Sequence, residues 1–265
     1  MGRNEALTSP ANPLLKDVRR AIARGALTEQ GYMVAESFHL LDEALRSDLD
    51  VRVILAAESA QAAVRDRVED LKRIRLAVVD DAVFDKLADT ESSQRVIALA
   101  KPPCWKLDQL FRRQSPLIVL DGLQDPGNAG AIVRAAEAFG ATGVVFAKGT
   151  VSPFNTKTLR ASAGSLFRVP FVHGLDGGQV RAALEQRQLA VYATVRHPGA
   201  KVAPDVELRR QCALIIGSEG HGVSEEFRSG AIGLSIQTAF VESLNAAVAA
   251  GVLLYEAQRQ RLLIP

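Results

Sequence analysis

Three segments of the chain place short polar groups where chemistry can be done. The first is LDGLQDPGNAGAIVRAAEAFGATGVVF, Leu120 to Phe146, with an amide at Asn128 and a guanidinium at Arg134. Asp125-Pro126-Gly127 makes a turn, because proline fixes φ and glycine accepts unusual angles. Asn128 is then the expected N-cap of a helix that runs to about Phe139 and stops at Gly140. The second is LIIGSEGHGVSEEF, Leu214 to Phe227, where an apolar strand runs into Gly217-Ser218-Glu219-Gly220-His221-Gly222. Its glycines let the backbone approach a ligand closely. Glu219 stands at the carboxyl end of a strand, the usual place for ligand sites in α/β proteins. The third is LSIQTAFVESLNAAVAAGVLLYEAQRQR, Leu234 to Arg261, with Ser243 and Asn245 just before a helix rich in alanine. Each segment also has a purely structural reading, as a capped helix with a solvated arginine, a tight turn and a second helix cap. The glycines fit neither GxGxxG nor GxxxxGK[ST], which speaks against a nicotinamide or ATP site.

These segments need strands and helices to hold them. Leu117 to Leu120, Gly143 to Ala147, Ala190 to Val195, Ala213 to Ile216 and Gly233 to Ile236 are short apolar runs suited to buried parallel strands. Helical stretches lie between most of them. In the helix after Asn128, Ile132, Ala136 and Phe139 form the expected buried stripe. The first hundred residues alternate differently. Asn12 to Arg24 is predicted helical and basic on one side, Val34 to Leu45 helical, Arg52 to Ala57 a strand and Glu58 to Leu71 a charged helix. Leu76 to Asp80 is predicted as a strand, Ala82 to Ala88 as a short helix and Arg95 to Leu99 as a strand. That pattern makes a small α/β domain over residues 1–103. Between the two halves, Lys101 to Pro116 carries three prolines and breaks both periodicities, which places a linker at 104–116. Residues 117–265 form the second domain.

Composition narrows the classes. The chain has 265 residues, 48% hydrophobic and 23% charged, a globular balance. No run of about 18 apolar residues suits a transmembrane helix, and Met1 to Pro13 is polar, with no secretory h-region. The two cysteines, Cys104 and Cys212, have no metal-ligand spacing, and a reducing cytoplasmic setting is expected. A net charge of +2 does not by itself mark a nucleic-acid binder. From Lys148 to Phe171, however, Lys148, Lys157, Arg160 and Arg168 occur with no acidic residue, interleaved with phenylalanines. Such a stretch could track a phosphate backbone, or be a solvated helix whose rings fill a core.

Taken together, Asn128-x-Gly130-x-x-x-Arg134, Gly217 to Gly222 (GSEGHG) and Glu242 to Gly251 (ESLNAAVAAG) resemble the three motifs of the SpoU/TrmH family of RNA ribose 2′-O-methyltransferases in the SPOUT superfamily. The resemblance covers residues 117–265. Residues 1–103 resemble the N-terminal substrate-binding domain of many members, itself similar to a small RNA-binding ribosomal protein fold. The resemblance implies an α/β domain with a parallel sheet and a deep trefoil knot, an exception to the usual threading rules. It implies S-adenosylmethionine as cofactor, held by Gly217, Ser218, Gly220, Ile236, Leu244 and Asn245. Its catalytic set falls on Asn128, Arg134, Glu219, Ser243 and Asn245. In that set Arg134 meets the target ribose, as base or as stabiliser of the oxyanion, Asn128 and Glu219 position it, and Ser243 and Asn245 hold loop and substrate. RNA would be met by Arg19, Arg20, Lys157, Arg160 and Arg168. No metal is needed, because the sulfonium methyl is already activated. Members act as homodimers through the final helix, whose Ala246 to Gly251 face suits close packing. Ribosomal RNA, 23S in particular, is the expected substrate; alternatives are transfer RNA, a base-methylating relative or a catalytically silent RNA-binding protein. One stretch departs from the family: Ile236-Gln237-Thr238-Ala239-Phe240-Val241 lacks its usual proline and glycine.

Overall fold

The computed structural model describes residues 5–68, 73–88, 93–197 and 199–262. In the first part of the chain come β1 (Glu5–Leu7), α1 (Pro13–Arg24), β2 (Met33–Glu36), α2 (Phe38–Arg46), β3 (Val51–Ala57), α3 (Gln61–Arg67), β4 (Arg75–Val79), α4 (Asp81–Asp85) and β5 (Val96–Ala100). Then follow β6 (Leu117–Asp121), α5 (Pro126–Ala138), β7 (Gly143–Ala147), α6 (Thr156–Ser162), β8 (Phe171–Leu175), α7 (Gly177–Gln186) and β9 (Ala190–Thr194). The chain closes with β10 (Lys201–Val202), β11 (Cys212–Gly217), α8 (Glu225–Arg228), β12 (Ile232–Ser235) and α9 (Ala246–Leu262). Two compact units result: Met1–Cys104 with Phe154–Arg168, and Trp105–Pro153 with Val169–Pro265.

The first unit holds a five-stranded sheet in the order β1-β4-β3-β5-β2, parallel from β1 to β3 and antiparallel from β3 to β2. Leu15 and Val18 of α1 pack with Leu55, Ile97 and Leu99 of the sheet. α1 begins where Asn12 accepts a hydrogen bond from the Leu14 N–H at 2.9 Å, and ends at Gly25 with φ +58°. The run from Val34 to Leu45 is not one helix. Met33–Glu36 is a fully buried strand paired with Ile97–Ala100, and the helix starts only after Ser37, which accepts from the Leu40 N–H at 3.1 Å. Pairing and burial in the strand outweigh the helix preference of Ala35 and Glu36. Of the helix expected over Glu58 to Leu71, Glu58–Ala60 is a 3-10 turn and α3 ends at Arg67; positions 69–71 lie outside the described residues.

Helix α6 belongs to this unit, although the sequence placed it in the later domain. The Arg160 guanidinium meets the carboxylate of Glu36 at 3.1 Å, and Glu36 is only 2% exposed. Arg168 donates to Glu43 at 2.6 Å and to the Ser47 hydroxyl at 3.0 Å. The segment thus finds its acidic partners more than a hundred residues away along the chain.

The second unit is built on a seven-stranded parallel sheet, ordered β10-β12-β9-β11-β6-β7-β8. Leu117 to Leu120 and Ala213 to Ile215 are fully buried, as strands covered on both faces must be. The expected linker is not free chain. From Trp105 onward it packs on this unit, and Leu110 is fully buried so close to Gly143 that a Cβ there would come within 2.6 Å of it. Helices α5 and α9 lie against each other, with the Phe139 and Tyr255 rings edge-on at 5.8 Å. Arg261 donates to the Phe139 carbonyl at 2.9 Å.

Candidate active site

Parallel strands end together, and this sets where the loops converge. Gly217 at the end of β11 is in register with Asp121 at the end of β6, and Leu234 of β12 with Thr194 at the end of β9. The loops 122–126, 218–223, 195–200 and 236–245 therefore leave from the same side of the sheet. The loop after β11 is a tight hairpin: Ser218 and Gly222 exchange backbone hydrogen bonds at 3.1 and 2.9 Å, with Gly222 at φ +67°. The close approach falls on Gly217. A Cβ at that position would lie 2.1–2.3 Å from backbone atoms of Gly222 and Val223. Asp121 accepts from the Ser224 N–H at 2.6 Å and ties the far end of the loop back to β6.

Residues from all three polar segments meet in one hydrogen-bonded chain. Asn128 donates through Nδ2 to Glu219 Oε1, and its Oδ1 accepts from Nδ2 of Asn245 at 2.9 Å. The other end of the Asn245 amide caps α9, accepting from the N–H groups of Ala247 at 2.9 Å and Val248 at 3.3 Å. The structural and the functional readings of Asn245 thus hold at once. For Asn128 the expectation of an N-cap is corrected. Asp125 caps α5, accepting from the Asn128 N–H at 2.6 Å, with Pro126 in the first turn. Asn128 sits one turn in, and its side chain is free to reach the other two loops.

A cleft of about 320 Å³ opens between the loops that follow β9, β11 and β12; Asn128 does not line it and reaches its wall only through Glu219 and Asn245. Of the residues expected to hold a cofactor, Gly217, Ser218, Ile236, Leu244 and Asn245 line it, together with Ser243 and Glu219. Gly220 does not; it lies on an adjoining cleft. Arg134 does not line it either. It is exposed on α5, with no hydrogen-bond or ion-pair partner among the described residues, so neither Asn128 nor Glu219 holds it. Of the basic residues expected to meet RNA, Arg20 pairs with Glu29, Lys157 is exposed, and Arg19 has a buried Nε without a hydrogen-bond partner. Arg160 and Arg168 are held by Glu36 and Glu43.

Sequence reasoning missed Thr194, Arg196, Thr238 and Glu242, which also line the cleft. Thr194 ends the strand Ala190–Thr194 and Arg196 follows it, so the strand-end rule applied to Glu219 would have found them.

The whole chain has counterparts among known proteins. The family described as the SpoU rRNA Methylase family matches residues 115–255, and the MRM3-like substrate binding domain matches residues 12–98. The 23S rRNA (guanosine(2553)-2′-O)-methyltransferase of Bacillus subtilis is 31% identical over 253 residues, 94% of this chain and 97% of that protein. The 23S rRNA (uridine(2479)-2′-O)-methyltransferase of Streptomyces viridochromogenes is 33% identical over 206 residues, 75% of this chain and 71% of that protein. The crystal structure of the SpoU methyltransferase AviRb from Streptomyces viridochromogenes with its cofactor AdoMet superposes with a TM-score of 0.83 at 26% identity, covering 96% of this chain and all of that one. Two motif loops converge on one cleft, the first motif is tied to them through Asn128, and matches span both units. The conclusion is that the chain belongs to the SpoU rRNA Methylase family and is an RNA methyltransferase.

Proposed function

We propose that the cleft of the second unit transfers a methyl group from S-adenosylmethionine to a ribose 2′-hydroxyl of ribosomal RNA, most plainly 23S. The observation that carries the reading is the chain Glu219–Asn128–Asn245, which ties the first motif to the two motif loops that line the cleft. The relatives act on guanosine in one case and uridine in the other, so what they share is the ribose hydroxyl and the 23S molecule.

The cleft suits the cofactor. Its size is within the range of small-molecule sites. Ile216, Leu234, Ile236 and Leu244 offer apolar walls for an adenine, and Glu219 and Glu242 offer carboxylates to a cationic sulfonium. When bound, the cofactor supplies an activated methyl group, so the protein's work is alignment and help with one proton. Asn128 and Asn245 fix the position of the Glu219 carboxylate, whose remaining lone pairs can accept from a hydroxyl. Ser243 and Asn245 line the same wall and would hold the ribose. Arg134 would approach the ribose-phosphate and stabilise the charge that develops on oxygen.

The exposed side chains Val248, Val252, Tyr255 and Leu262 lie on α9 at spacings that bring them to one face, which supports a homodimer through that helix. The trefoil knot of the family belongs to the same reading. Arg19, Arg20, Lys157, Arg160 and Arg168 would meet the RNA from the first unit, the last two from positions fixed by their carboxylate partners. No helix among the described residues is long and apolar enough to cross a membrane; the site of action is proposed to be the cytoplasm, where ribosomal RNA is modified.

Calorimetric titration with S-adenosylmethionine, paired with a methyl-transfer assay on 23S RNA, tests the reading. Saturable binding is expected in the wild type and in Arg134→Ala, with transfer lost only in the variant. Absence of binding heat, or full transfer by Arg134→Ala, would refute it.

A further inference from the structure

A second, larger cleft of about 640 Å³ adjoins the cofactor cleft, sharing Thr194, Val195, Arg196, Glu219 and Gly222 with it. Four nitrogen-bearing side chains stand on its walls: Arg196, His197, His221 and Arg228. Glu219 is the one carboxylate among its lining residues, and it is engaged by Asn128. Arg228 is paired with Glu225 at 2.7 Å. Arg196 is exposed and has no partner among the described residues. The Gly199 N–H donates to Nδ1 of His197 at 2.9 Å, which leaves Nε2 of that ring to meet a ligand. The rest of the lining is small, with Gly199, Ala200, Gly220, Gly222 and Gly233 leaving backbone accessible.

We infer that this cleft is a phosphate-binding subsite for the RNA strand next to the reacting nucleotide, with Arg196 as its anchor and His197 and His221 as further ring-nitrogen contacts. The inference rests on the methyl-transfer reading above. A ribose that presents its 2′-hydroxyl at Glu219 carries a phosphodiester on each side. The strand must leave the reacting centre through space continuous with it, and this cleft is that space. Its volume is about twice that of the cofactor cleft and its free groups are donors and cations, which suits a polyanionic strand better than the single carboxylate of a cofactor tail.

Fluorescence anisotropy with a labelled, mixed-sequence single-stranded RNA, at several salt concentrations, tests it. Because phosphate contacts are sequence-independent, no knowledge of the target is needed, and the result stands whether or not methyl transfer is ever seen. Arg196→Ala should weaken RNA binding about fivefold and lower the slope of log K against log salt by about 0.7, the value for one phosphate contact on a single strand. Arg196→Lys should restore the slope. An unchanged salt slope in Arg196→Ala would overturn the subsite. So would a loss confined to cofactor affinity, which would assign Arg196 to the cofactor's carboxylate.

Discussion

Replacing Gly217 by alanine tests the site at its tightest point. The new Cβ would sit 2.1 Å from the Gly222 carbonyl carbon, 2.2 Å from the Val223 nitrogen and 2.3 Å from the Gly222 oxygen. All three are backbone atoms in a loop closed by the Ser218–Gly222 hydrogen bonds and by Asp121, so no rotamer change relieves the overlap. The loop must move by about an ångström, and overpacking of this kind costs roughly 1–3 kcal/mol. In a chain of this size that lowers the melting temperature by about 2–12 °C. Moving the loop also carries Glu219 away from Asn128. A hydrogen bond to a charged group is worth about 1.5–3 kcal/mol, so methyl transfer should fall a further ~10- to 150-fold. Thermal unfolding, cofactor calorimetry and single-turnover methyl transfer read the three effects. A Gly217→Ala protein that melts, binds cofactor and transfers methyl like the wild type would refute the reasoning, because the hairpin would then not be closed against β11.

Other changes have definite expected outcomes. Glu36→Ala leaves the Arg160 guanidinium, 25% exposed, without its buried carboxylate, and should destabilise the first unit by about 3 kcal/mol in urea denaturation; a shift of a few tenths would show that the pair is not structural. Val252→Glu places a charge in the exposed apolar face of α9 and, under the proposed homodimer, should halve the mass that sedimentation gives for the wild type; a wild type that sediments as a monomer, or a variant of unchanged mass, would refute an interface on α9. Burial pushes the Cys212 thiol up to about 12 from an ordinary 9.0, against the pull of the Arg261 guanidinium. Its protonated form is favoured in the fold, so the stability it contributes is intact below about pH 9 and lost as pH rises from 9 towards 12. At pH 8 a thiol reagent should therefore modify exposed Cys104 and reach Cys212 only in denaturant.

The central strands were legible because burial on both faces writes unbroken apolar runs, as in Leu117 to Leu120 and Ala213 to Ile216. The edges were not. Phe171–Leu175 includes a half-exposed Val172, exposed His173 and Gly174, and Lys201–Val202 is too short to carry a pattern. Met33–Glu36 looked helical because its alanine and glutamate favour a helix, while its pairing with β5 is decided more than sixty residues later. Within the site, each motif's residue types pointed to polar chemistry, but the contacts themselves span 91 and 117 residues. No spacing rule reaches that far. Arg160 and Arg168 looked like free cations for the same reason: their carboxylates come from β2 and α2. The helix cap is a different case, because Asp125 followed by Pro126 is a local signal that outranks Asn128.

The most direct test of methyl transfer to ribose is to incubate 23S RNA with the protein and S-adenosylmethionine carrying a labelled methyl group, digest the RNA to nucleosides and locate the label by mass spectrometry. The account predicts one 2′-O-methylated nucleoside, with label on the sugar, dependent on Arg134 and Asn128. Label on a base, or none from a protein that binds the cofactor, would contradict it.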